Sequence, residues 1–289
     1  MGNPLFTGAC TALVTPFLDG KVNYPMAEIL LGRQIAAGVE AVVLAGTTGE
    51  SPTLSDDEKL ELLRRCKNYA KNTCKIICGT GSNNTAHSAE LSIAAEEAGA
   101  DAILVVAPYY NKSTPDGLVS HYMTIAHAVS IPVIIYNVPS RTGVDIPVSV
   151  YKRLSAIPNI VGVKEAGTDI TKITRIRMAC DQNFAVWTGN DDQIVPAMAC
   201  GASGVISVLS NVIPAETVAL CHAAQNGDFQ AAAALQRRFM PLIDLLFCEV
   251  NPIPVKTAMA HIGYDCGGCR LPLTELTPEN KKKLETYFA

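Results

Sequence analysis

Ile160-Val161-Gly162-Val163-Lys164 is an apolar run that stops on a lysine. It is one of eight short stretches rich in Val, Ile and Ala and bounded by turn residues: 9–14, 40–45, 75–79, 102–106, 132–136, 160–164, 184–188 and 204–208. The runs are continuously apolar rather than alternating, which implies strands buried on both faces, as in a parallel sheet covered by helices. Helix-like stretches lie between them, among them 56–71, 85–98, 116–129 and 169–179, several opening on the Ser, Thr or Asp that caps a helix. Eight β-then-α units predict an α/β fold of the TIM (β/α)8 barrel type. A doubly wound open sheet shares the local pattern, so the count of eight decides between them.

An internal echo agrees. Ala37-Gly38-Val39, Ala98-Gly99-Ala100 and Cys200-Gly201-Ala202 each place a glycine between a helix and the next strand, where a left-handed residue closes the helix and turns the chain. Beyond the eighth run the sequence is helical and alanine-rich, with helices expected over 230–247 and 251–263. This is more than one closing helix requires. The organisation expected is a catalytic barrel over 1–227 and a C-terminal helical extension over 228–289.

Composition narrows the function. The 289 residues are 48% hydrophobic and only 17% charged, enough apolar material for a large core. Lys and Arg number 23 against 27 Asp and Glu, and no basic run exceeds Lys281-Lys282-Lys283, which is expected on a solvated terminal helix, so nucleic acid is not the expected partner. Met1-Gly2-Asn3-Pro4 does not open a leader, and no apolar window of about 18 residues occurs, so neither a membrane span nor export is expected and the reading is cytoplasmic. The ten cysteines are scattered through apolar segments and read as small buried hydrophobes. Cys266-Gly-Gly-Cys269 could be half of a zinc site or a redox pair, but no second CxxC or paired His accompanies it to complete a structural zinc site, and neither role is expected.

Active sites of such barrels lie at the C-terminal ends of the strands. There the sequence places Gly46-Thr47-Thr48-Gly49-Glu50, Tyr109-Tyr110-Asn111, Tyr136-Asn137-Val138-Pro139-Ser140-Arg141, Lys164-Glu165 and Gly189-Asn190-Asp191. A lysine in a buried strand is costly unless it is paired or neutral, and a neutral amine attacks carbonyls. Lys164 is thus either a Schiff-base nucleophile for a small keto acid or half of a buried ion pair with Glu50 or Asp191. Glu165 should face the opposite side of its strand. Tyr136, on the neighbouring strand, suits the proton transfers of carbinolamine and enamine chemistry, with Thr47 and Tyr110 able to extend it as a hydroxyl relay, although a tyrosine there also suits a core role. The Gly46-Thr47-Thr48-Gly49 loop either cradles a carboxylate on backbone N–H groups or is a plain turn. Arg141 offers a fork for a second carboxylate, or a surface ion pair. None of the five histidines falls at a strand end or in an HxxxH spacing, so no metal is expected.

Gly46-Thr47-Thr48-Gly49-Glu50, Tyr136-Asn137-Val138-Pro139-Ser140-Arg141-Thr142, Gly162-Val163-Lys164-Glu165, Gly204-Val205-Ile206-Ser207 and the tail motif Asn251-Pro252-Ile253-Pro254-Val255-Lys256 together resemble the dihydrodipicolinate synthase family of the N-acetylneuraminate lyase superfamily. The resemblance implies pyruvate held as a Schiff base on Lys164, with its carboxylate on Thr47 and Thr48 and with Tyr136 as acid and base. It also implies that Thr47 links Tyr136 to a Tyr110 contributed across a tight dimer interface, that Arg141 binds aspartate semialdehyde, and that Gly189 and Ile206 line the pyruvate pocket. The implied reaction forms 4-hydroxy-tetrahydrodipicolinate on the route to diaminopimelate and lysine, without metal or cofactor, in a homotetramer built from tight dimers. Asn83 and Tyr109 match the family's lysine-inhibition site. Asp56, Lys59 and His87 depart from its His, His and Glu pattern, so weak or absent inhibition is expected. The rival readings are a pyruvate-dependent lyase of sugar acids and a silent keto-acid-binding barrel.

Overall fold

In a computed structural model, which describes residues 4–289, eight parallel strands close into a barrel. They are β1 (Gly8–Ala12), β2 (Ala41–Leu44), β3 (Lys75–Gly79), β4 (Ala102–Val106), β5 (Val133–Asn137), β6 (Ile160–Glu165), β7 (Ala185–Thr188) and β8 (Gly204–Ser207). Each strand pairs with its sequence neighbour and β8 closes on β1, Gly8 lying opposite Gly204. All eight runs read from the sequence are these strands, with ends moved by no more than two residues. The Met1-Gly2-Asn3 part of the leader reading lies outside the described residues.

The two-residue period of the strands sorts side chains into two cores. Cys10, Val43, Ile77, Leu104, Ile134, Tyr136, Trp187 and Ile206 fill the barrel. Their strand neighbours, such as Val42, Ile76, Ile103, Ile135, Val163 and Val205, face the helices and join a larger outer core. This double burial is why the strands read as unbroken apolar runs.

The helices begin where the sequence carries caps. The helix Asp56–Ala70 opens in a capping box, with the Ser55 hydroxyl accepting from the Glu58 amide and the Glu58 carboxylate accepting from the Ser55 amide. Gly38, Gly99 and Gly201, at φ +80°, +93° and +97°, turn the chain out of a helix toward the next strand, as read from the sequence. The sequence reading passed over a small hairpin, Phe17–Leu18 with Lys21–Val22, whose two-residue strands are too short to show a period.

After Pro214–Gln225, the helix that follows β8, come the helices Phe229–Leu246, Ile253–His261 and Pro278–Phe288. Leu242, Leu246, Val255 and Leu284 of this tail share the outer core with barrel residues. Lys281, Lys282 and Lys283 lie exposed on the last helix, as expected. No helix among the described residues is long and apolar enough to cross a membrane.

Candidate active site

The register of β5 and β6 sets Tyr136 directly beside Lys164 at the C-terminal end of the barrel. Both point inward and are buried, and the Lys164 Nζ lies 4.4 Å from the centroid of the Tyr136 ring. Glu165 takes the other face of β6, as the strand period requires. Its carboxylate accepts from Asn137 Nδ2 at 2.7 Å, the Gly167 amide at 2.8 Å and the Tyr151 hydroxyl at 3.2 Å, and it pairs with Lys172 at 3.3 Å. Burial, reinforced by this carboxylate, holds the Tyr151 hydroxyl protonated, well above the usual tyrosine range.

Four lysines of this protein are buried: Lys59, Lys164, Lys172 and Lys256. Three have a carboxylate at ion-pair distance, Lys59 with Asp56, Lys172 with Glu165 and Lys256 with Glu50. Among the described residues, Lys164 is the buried lysine without one. Neither carboxylate suggested as its structural partner fills that role. Glu50 is bound by Lys256 Nζ and the Arg270 amide, both at 2.9 Å. Asp191 spends one oxygen on the Val208 and Leu209 amides, and burial raises its carboxyl above the ordinary range.

Beside Tyr136 opens a cavity of about 540 Å³, lined also by Thr47, Val138, Arg141 and Thr142 and, further out, by Asp56, Lys59, His87 and Tyr109. Arg141 reaches it from the one-turn helix Pro139–Thr142, which starts on proline and stops at Gly143 with φ +68°. Arg141 is exposed and has no ion pair among the described residues; its Nη2 donates to the Asn251 carbonyl at 3.2 Å, which ties it to the tail. The Gly46-Thr47-Thr48-Gly49 loop is entered and left through left-handed non-glycine residues, Ala45 at φ +50° and Glu50 at φ +55°. Among the described residues, nothing accepts from the amides of Thr47 or Thr48. Two adjacent free amides of this kind suit a carboxylate.

The structure thus puts Thr47, Tyr136 and Arg141 on one cavity wall, with Lys164 adjoining it through the Tyr136 ring. Gly189 lies against Lys164: a Cβ there would stand 2.9 Å from the lysine Cε. Ile206 packs in the same inner core as Tyr136. Thr48 is buried and does not line the cavity. Tyr110 is the outlier. It is 91% exposed at φ +67° in the loop after β4 and is absent from this chain's cavity wall. The sequence reading assigned no separate role to Asn251, which bonds to both Thr48 and Arg141. The available signal was the tail motif Asn251-Pro252-Ile253-Pro254-Val255-Lys256, in which a polar residue stands at each end of an apolar, proline-containing run.

The family model of the dihydrodipicolinate synthetase family matches residues 5–288. The chain belongs to that family. The 4-hydroxy-tetrahydrodipicolinate synthase of Acetivibrio thermocellus is 44% identical over 291 residues, covering 99% of each chain. The dihydrodipicolinate synthase structure from Aquifex aeolicus superimposes with a TM-score of 0.96 at 43% identity, over 98% of this chain and 97% of that one. The enzyme of Acinetobacter baumannii, solved in complex with pyruvate, gives 0.95 at 42% identity over 97% of each chain. Against these dihydrodipicolinate synthetase relatives, the closed barrel with C-terminal helices is the family's fold.

The contact between Gly189 and Lys164 yields a test. A Cβ at Gly189 would also stand 2.8 Å from the Ala166 Cβ, which cannot swing away, so Gly189→Ala should lower the melting temperature while staying folded, push the lysine side chain aside and cut turnover about a hundredfold. Thermal melting and steady-state kinetics check this; full turnover in a folded variant would show that Gly189 does not set the position of Lys164.

Proposed function

We propose that this chain condenses pyruvate with L-aspartate 4-semialdehyde to give 4-hydroxy-tetrahydrodipicolinate, the first committed step toward diaminopimelate and lysine. The observation that carries the reading is the buried Lys164 amine, left without a carboxylate and set against Tyr136 beside a cavity that holds Arg141. A fold keeps such a group when the group reacts. The name shared by the relatives supports a synthase over a sugar-acid lyase or a silent binding barrel.

In the chemistry proposed, Lys164 Nζ adds to the pyruvate ketone carbon and the ketone oxygen leaves as water, its proton supplied through Tyr136. The resulting imine withdraws electrons, so a methyl proton is lost and the enamine carbon attacks the aldehyde carbon of the second substrate. The amine of that substrate then adds to the imine carbon, closing the ring and releasing Lys164. The Thr47 and Thr48 amides hold the pyruvate carboxylate, and Arg141 the carboxylate of the semialdehyde. No step calls for a metal or cofactor.

Tyr110 enters this scheme from a second protomer, as the tip of a hydroxyl relay through Thr47. Its near-complete exposure beside, but outside, this chain's own cavity supports that reading and a tight dimer, two of which make the proposed tetramer. Ten free cysteines support a reducing, cytoplasmic setting.

Two outcomes follow. In an assay coupled to a reductase acting on the product, aspartate semialdehyde should be turned over with pyruvate, while N-acetylneuraminate and keto-deoxy sugar acids should not be cleaved. The reverse preference would establish the lyase. At the outer part of the cavity Lys59 is tied to Asp56 at 3.3 Å, and His87 lies 3.6 Å from the same carboxylate. This cation occupies ground where the effector's ammonium would need an acceptor. Millimolar L-lysine should therefore leave the rate within about twofold of its value without lysine; a clear fall would contradict this.

A further inference from the structure

We infer that Asn251 is a positioning residue that couples the two substrate subsites, aiming the Thr48 hydroxyl with its side chain and seating Arg141 with its main chain. The inference rests on the functional reading above, which assigns Thr48 to pyruvate and Arg141 to the semialdehyde. Asn251 Nδ2 donates to Thr48 Oγ1 at 2.9 Å, both side chains being buried, and the Asn251 carbonyl accepts from Arg141 Nη2 at 3.2 Å.

The direction of the first bond matters. A hydroxyl that accepts from an amide keeps its own hydrogen for another partner, and among the described residues nothing accepts from Thr48 Oγ1. Thr48 lies just behind the cavity wall that Thr47 forms, and in this inference its hydrogen joins the Thr47 and Thr48 amides as a third donor when the pyruvate carboxylate seats there; accepting a bond strengthens it as a donor. The Asn251 Oδ1 is buried without a donor among the described residues, so the Thr48 bond is the side-chain hydrogen bond that Asn251 makes there. The rest of the tail braces the same loop from its far end. Lys256 Nζ and the Arg270 amide fix the two oxygens of Glu50, and Lys256 also donates to the Gly268 carbonyl at 2.7 Å. The loop that receives pyruvate is thus gripped at Thr48 and at Glu50 by one segment, and that segment also anchors Arg141.

Reversing the bond distinguishes aiming from filling space. Asn251→Asp keeps the volume but offers an acceptor, so the Thr48 hydroxyl would turn its hydrogen to the new carboxylate and away from the substrate, beside an added negative charge. Asn251→Ala removes the bond and leaves a small void. Kinetics of the full-length enzyme on both substrates, with melting temperatures, should show the pyruvate KM raised about tenfold or more in Asn251→Asp, and less in Asn251→Ala. In a Thr48→Val background the effect of Asn251→Ala on pyruvate KM should vanish, because the shared oxygen is gone. An effect of Asn251→Ala equal to or larger than that of Asn251→Asp, additivity with Thr48→Val, or an unchanged KM in both variants would overturn the inference while leaving the synthase reading standing. A wild-type enzyme that fails to turn over pyruvate would overturn both.

Discussion

An amine buried inside a parallel barrel with no carboxylate at ion-pair distance is the constraint on which this site depends. An uncompensated charge in an apolar interior is among the costliest groups a fold can contain. The other three buried lysines meet that cost with Asp56, Glu165 and Glu50. Lys164 has the face of Tyr136 at 4.4 Å. The strand period makes the arrangement possible: it sends Lys164 inward and Glu165 outward from adjacent positions, so the carboxylate closest in sequence is committed to Lys172, Tyr151 and Asn137 on the far side of the sheet. The parallel register then brings Tyr136 alongside the amine.

The barrel holds Lys164, the proposed nucleophile, but the groups proposed to receive the substrates are arranged from outside it. Thr47 and Thr48 sit on a loop closed by a strained left-handed residue at each end, and such backbone persists only where its surroundings over-determine it. The C-terminal tail provides those surroundings through Asn251, Lys256 and Arg270. The tail packs into the outer core with apolar side chains and reaches the site with polar ones. One segment therefore joins stability to substrate binding.

Much of this was legible in the sequence, for identifiable reasons. Strands buried on both faces leave unbroken apolar runs, the helix ends carry glycines at Gly38, Gly99 and Gly201, and Lys164 stands out because lysine is foreign to such a run. Strand ends were less legible, since hydrogen bonds to a neighbouring strand decide them. The hairpin at Phe17–Leu18 and Lys21–Val22 is too short to carry a period. The clasp was hidden because it is long-range: Asn251 lies 203 residues from Thr48, and Lys256 lies 206 from Glu50. From the sequence Glu50 was as reasonable a partner for Lys164 as any carboxylate; only the fold shows it committed to Lys256. The exposure of Tyr110 is likewise a property of the folded chain.

All of the proposed chemistry begins with one bond, between Lys164 Nζ and the ketone carbon of pyruvate. Borohydride reduction of the enzyme in the presence of pyruvate, followed by peptide mass analysis, measures it directly. The expected result is loss of activity with one stable adduct, carried by the peptide that contains Lys164. No adduct, or an adduct on Lys59, Lys172, Lys256 or any other lysine, would contradict the account.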